Sequence, residues 1–340
     1  MSSREDYYKG LLFSKYEPNP VYAETSTGNW VYALDSTIQY EYGQHPNEWK
    51  RKLSNSFLKV QGTSSIPDLH IVLKCLSQGM SLTLSLKSCS ERDFVPWNTV
   101  GLISDFYYSL TNLIDVIIIG QGSPRPLNHT KRINQFDAFK VIMPHPFNMF
   151  TSFNPALWNQ RTLISQKQYT SHFPSKGISS DTASESKINK RHQIISDVDA
   201  SDIMLGYLRG TTGFYMDDIY DKFLKETGLP NFKTQKARDG VNPKLQNSNV
   251  NFLDCLYRYR TKAHYRDFLY LTNNCYDPTL GYNDHINQNF IISLFNISHF
   301  MTEVAFRYLE ARLGTQEKGH ILKVLVGSHK SNKYGLWDHH

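Results

Sequence analysis

Arg258, Arg260, Lys262, His264 and Arg266 fall within nine consecutive positions, and Asp267 follows directly. An imidazole is the one side chain whose ordinary pKa lies near neutrality, so it can take and return a proton at physiological pH. A guanidinium beside it can hold a phosphate or stabilise charge that develops on one. Arg260, His264 and Asp267 are spaced by four and three residues, which stacks them on one helical face, where the carboxylate could orient or charge the imidazole. Such a set suits cleavage of a phosphodiester without a metal or any other cofactor. Arg258 and His264 are read as the catalytic pair, with Arg260 and Asp267 supporting them. Arg258, Arg260, Lys262, Tyr265 and Arg266 are read as contacts to nucleic acid.

These side chains need a helix to carry them. In 251–272, NFLDCLYRYRTKAHYRDFLYLT, the residues Phe252, Leu256, Tyr259 and Ala263 recur at i, i+4, i+7 and i+11, so one stripe is expected to be buried and the charged groups to use the other sides. The interval 233–267 holds eight Lys and Arg against three Asp, a local concentration of the chain's +6 formal charge. Tyrosines interleave with the cations, as on surfaces that stack bases between phosphate contacts.

The stretch RYRTKAHYRDF resembles the signature of HEPN domains, helical bundles that include many RNases and the RNase halves of some stress-sensing kinases. Their pattern is an Arg and a His with four to six residues between them, which Arg258 and His264 match with five. His264-Tyr265-Arg266-Asp267 is similar to the end of that motif in the kinase-linked members. The resemblance covers about twenty residues directly and, by helix count, the C-terminal third of the chain. It implies a helical bundle that dimerises and RNA as substrate or ligand. Two departures stand out: Tyr259 follows Arg258 where many active members carry a polar residue, and an unbroken helix sets Arg258 about 120° from His264.

Composition is that of a folded chain. Of 340 residues, 40% are hydrophobic and 13% aromatic, enough for a sizeable core. The positive balance and a pI near 8.9 favour an acidic partner. Cys75, Cys89, Cys255 and Cys275 lack paired spacing, which argues against a zinc ribbon or a dithiol redox site. No stretch of signal-peptide or bilayer-spanning length is evident in the sequence, so an intracellular protein, cytoplasmic or nuclear and without membrane association, is expected.

Read in order, 21–43 suggests a β-hairpin, followed by a helix over 46–60 on Trp49, Leu53, Phe57 and Val60. Asp68 precedes a short apolar segment stopped by Gly79. Met80, Leu82, Leu84 and Leu86 then alternate with polar residues as in a strand. A helix over 97–113 leads into a buried strand, DVIIIGQ, and a further strand is expected at 139–143. The turn after DVIIIGQ, GQGSPRP, has the wrong glycine spacing and two prolines for a phosphate loop. From 159 to 200 Ser, Lys and Asn dominate, the composition of a linker. Helices are expected at 202–208, 215–226, 251–272, 285–313 and 316–326. His299 and Glu303 stand one turn apart without a third metal ligand.

The expected architecture is α+β: a mixed N-terminal domain with a mainly antiparallel sheet over 1–158, a linker over 159–200, a helical bundle over 201–330 and a tail over 331–340. An RNA-associated protein able to cleave RNA is one functional expectation. A non-catalytic adaptor subunit, contacting other proteins or a second copy through its bundle, is the other.

Overall fold

The computed structural model describes residues 20–43, 46–58, 66, 68–92, 98–153, 169–172, 197–232, 234–246, 249–266, 271 and 286–313. Nine α-helices run through them: α1 Pro20–Ile38, α2 Pro46–Leu58, α3 Leu69–Ser90, α4 Thr99–Gly120, α5 His129–Asp137, α6 Asp197–Thr227, α7 Gln235–Gln246, α8 Phe252–Thr261 and α9 Gln288–Arg312. Three short strands, β1 Phe150–Phe153, β2 Tyr169–His172 and β3 Val250–Asn251, form an antiparallel sheet in the order β2-β1-β3. Phe150 lies opposite both His172 and Asn251.

This overturns the α+β expectation, because the N-terminal half is helical too. The 21–43 segment is α1 followed by a π-helical turn, Gln39–Gly43, and not a hairpin. From Thr27 to Ile38 every residue but Tyr32 and Asp35 is buried, so the helix is enclosed on nearly all sides. β-Branched and aromatic content suggested strands, yet packing against α6 and α9 decides the outcome.

Gly79 does not stop a helix; it lies inside α3. A Cβ there would stand 2.6 Å from Leu113 Cγ, so the missing side chain is what lets α3 approach α4. The expected strand at 80–87 is the second half of α3. It buries Met80, Thr83 and Leu86 at intervals of three, and Thr83 Oγ1 donates to Gly79 O at 3.0 Å. DVIIIGQ likewise continues α4, a helix buried on nearly all sides from Leu113 to Gly120. The 139–143 segment is a 3₁₀ turn, Lys140–Ile142. α3 and α4 are long and apolar enough to cross a membrane by length and composition, but 78% of α4's most apolar window is buried within the fold.

Other expectations match in place. α2 buries Leu53 and Phe57, and α9 is buried along most of its circumference. The 202–208 and 215–226 helices are one continuous α6, ended at Gly228 with φ +66. The 316–326 helix, the tail and most of the 159–200 interval lie outside the described residues.

One large hydrophobic cluster takes residues from both sides of that interval, from Trp30 and Phe106 to Tyr259 and Met301. Trp30 of α1 stacks on Tyr207 of α6 at 4.8 Å, and Tyr259 OH of α8 donates to Thr27 O at 3.1 Å. A second, small cluster of Phe223, Phe232, Ala237, Val241 and Leu245 joins the far end of α6 to α7.

Candidate functional site

α8 begins with a capping box. Asn251 Oδ1 accepts from Leu253 N at 2.9 Å, and Asp254 Oδ2 accepts from Asn251 N at 2.9 Å, which fixes the first turn. Phe252, Leu256, Tyr259 and Ala263 are all buried, as their spacing predicts. After Thr261 the backbone loosens into a π-helical turn, Lys262–Arg266, which carries His264.

The two arginines of α8 diverge. Arg258 faces α6, where its Nη1 donates to Thr211 Oγ1 at 3.1 Å and its guanidinium covers the rings of Phe214 and Tyr207 at 5.3 and 5.7 Å. Arg260 faces α4 and lies over Tyr108 and Tyr107 at 5.1 and 5.2 Å. Its Nε is buried without a hydrogen-bond partner among the described residues. His264 also faces α4, its Nε2 in hydrogen-bond contact with Ser104 Oγ. The structure therefore brings Arg260 and His264 to one neighbour and turns Arg258 to another. Lys262 is half-buried in the π-helical turn. Asp267 and the side chains of Tyr265 and Arg266 lie outside the described residues.

A residue with no place in the sequence reading completes the cluster. His129 opens α5 behind Asn128, whose side chain caps the helix by accepting from Lys131 N at 2.9 Å. The His129 Nδ1 is hydrogen-bonded to Tyr107 OH, and its ring lies 4.9 Å from that of Tyr257 on α8. One turn on, Arg132 donates through Nε and Nη2 to the two oxygens of Asp115 at 2.7 and 2.9 Å. Asp115 is 0% exposed, so this fork ties α5 to the middle of α4.

Burial lowers the pKa of both histidines. Arg132 lowers that of His129 further, and Arg260 lowers both. The result is a row of Ser104, Tyr107 and Tyr108 on α4 facing Tyr257, Arg260 and His264, with His129 closing one end. Tyr108 remains 39% exposed, which leaves an aromatic face at the solvent edge of the site. The expected 97–113 helix already holds Ser104, Tyr107, Tyr108 and Thr111 at i, i+3, i+4 and i+7, the spacing of one face, and the sequence reading passed over that signal. Asn-His-Thr-Lys-Arg carried a second signal, an N-cap before a basic turn.

Other sequence candidates have structural partners. Glu303 lies 3.6 Å from both Lys50 Nζ and Arg307 Nη2. Compared with family models, curated proteins and solved structures, the chain has no match.

Proposed function

We propose that the chain is an RNA-associated protein whose α4–α5–α8 site cleaves RNA without a metal. The observation that carries this reading is the gathering against α4 of Arg260, a guanidinium over the rings of Tyr107 and Tyr108, and two partly buried histidines, each bonded to a hydroxyl of that helix. Transesterification at an RNA phosphate needs a base to take the 2′-OH proton, an acid to protonate the departing 5′-oxygen, and a cation for the charge that builds on phosphorus. A neutral imidazole can supply the base, its protonated counterpart the acid, and Arg260 the cation. This reading replaces Arg258 by Arg260 as the working partner of His264, a pair with three residues between them that falls outside the four-to-six spacing of the HEPN signature. It also adds His129.

The test is RNA cleavage in the presence of a chelator, read alongside binding as a function of salt. A phosphate-binding site loses affinity steeply as ionic strength rises. Cleavage by the wild type that disappears in Arg260→Ala supports the reading, and folded protein that neither binds nor cuts RNA at low salt removes it.

A non-catalytic adaptor is the second reading. It is favoured by Leu127 and Val141, which flank α5 in sequence and, at 82% and 68%, are the two most exposed large hydrophobics among the described residues. Substituting both with Ser would abolish partner capture and leave RNA affinity unchanged if that surface is the functional one.

A further inference from the structure

Asn251 is 1% exposed and stands where three elements meet. Its backbone belongs to β3 and pairs with Phe150 of β1. Its Oδ1 caps α8. Its Nδ2 points elsewhere, at the C-terminal half of α5, and donates to Ile133 O at 3.4 Å and to Asp137 Oδ1 at 3.3 Å. Asp137 is itself held by Lys140 Nζ at 2.6 Å. One carboxamide thus fixes the start of α8 and the far end of α5 to each other.

α5 has a second polar lock, Arg132 on Asp115, which fastens its middle to α4. With the bond from Gln135 Nε2 to Pro124 O at 3.0 Å and the buried Phe136, these locks define where the helix axis points, and the helix start carries His129. Without the Asn251 bridge the C-terminal half of α5 loses its polar tie to α8, and a tilt about the Arg132 fork would move His129 relative to Tyr107 and Tyr257. We propose that Asn251 is a positioning residue: by bridging the α8 cap to α5 it keeps His129 in register with Arg260. This rests on the cleavage reading above for its catalytic consequence, but the geometric claim is separable from it.

The capping and bridging roles can be separated by substitution. Ser caps a helix about as well as Asn, since its hydroxyl accepts the same first-turn N–H, but it is too short to reach Ile133 O. Asn251→Ser should therefore lower the denaturation midpoint less than Asn251→Ala and keep KM near wild type while kcat falls roughly 10- to 100-fold, the loss expected for an ångström-scale displacement of a reacting group. In the same variant the NMR titration midpoint of His129 should move upward as the ring gains solvent and leaves the field of its neighbouring arginines. Asn251→Ala removes cap and bridge together and should lower the denaturation midpoint as well. An Asn251→Ser protein with wild-type kcat and an unmoved His129 titration would overturn the proposal. If the wild type cuts no RNA, the cleavage reading fails, and the His129 titration alone still decides whether Asn251 positions it.

Discussion

At the scale of single residues, Arg258 and Arg260 are two positions apart with identical side chains and do different work. Arg258 lies between Thr211, Tyr207 and Phe214, so its contribution is to the packing of α8 on α6. Arg258→Ala should cost about 1–3 kcal/mol in denaturant unfolding, from one charged hydrogen bond and two cation–π contacts, and leave kcat near wild type. Arg260→Lys should keep stability closer to wild type but lose most cleavage, because an ammonium cannot reproduce the planar guanidinium over Tyr107 and Tyr108. If the site cleaves RNA as proposed, the histidines set the pH dependence of that cleavage. Both titrate below the ordinary 6.5, so at neutral pH the base is ready and the acid scarce. Activity should rise as pH falls from 7, peak below 6.5 and then decline as the base protonates; a peak above 7 would contradict that assignment.

At the scale of elements, what the sequence made legible depended on amphipathicity. The spacing in α2 and α8 found Leu53, Phe57, Phe252, Leu256 and Tyr259 correctly, though it missed that α8 is buried all round from Phe252 to Leu256. α4 is apolar nearly all round, so its second half carries no period and passes for a buried strand. α3 failed for a different reason, since Met80, Leu82, Leu84 and Leu86 alternate by chance while burial follows Met80, Thr83 and Leu86. The glycine within α3 is a contact and not a terminator. Gly79→Ala gains helix propensity of about 1 kcal/mol, but its Cβ would meet Leu113 at 2.6 Å in a close-packed seam, where overpacking costs about 1–3 kcal/mol. Net destabilisation in chemical denaturation is expected. α8 carries its own pH response through Asp254, whose carboxyl is pushed up to about 7 by burial. A group whose folded pKa lies above its unfolded value stabilises fully at low pH and loses that contribution as pH rises through the folded value. Asp254→Asn keeps an acceptor for Asn251 N and cannot ionise. Its stability relative to wild type should therefore improve as pH is raised from 5 to 8, and a difference that stays constant across that range would show that Asp254 does not titrate there.

At the scale of the whole molecule, the two sides of the 159–200 interval share a core. Trp30 packs on Tyr207 and Tyr259, and Ser293 Oγ of α9 donates to Asp35 Oδ2 of α1 at 2.7 Å. Fragments 1–158 and 159–340 should accordingly be insoluble when expressed singly and recover a folded complex when co-expressed, as read by size exclusion and circular dichroism; two independently folded fragments would contradict the shared core. That core also brings α4 and α5 from one side against α8 from the other, so the candidate site needs both. The most direct measurement is chelator-resistant RNA cleavage by the purified full chain, compared among wild type, Arg260→Ala, His129→Ala, His264→Ala and Arg258→Ala. Cleavage by wild type and Arg258→Ala, with a loss of at least about 100-fold in each of the other three, is the predicted result. Absence of cleavage in the wild type, or a loss confined to Arg258→Ala, would contradict the assignment of the α4–α5–α8 site.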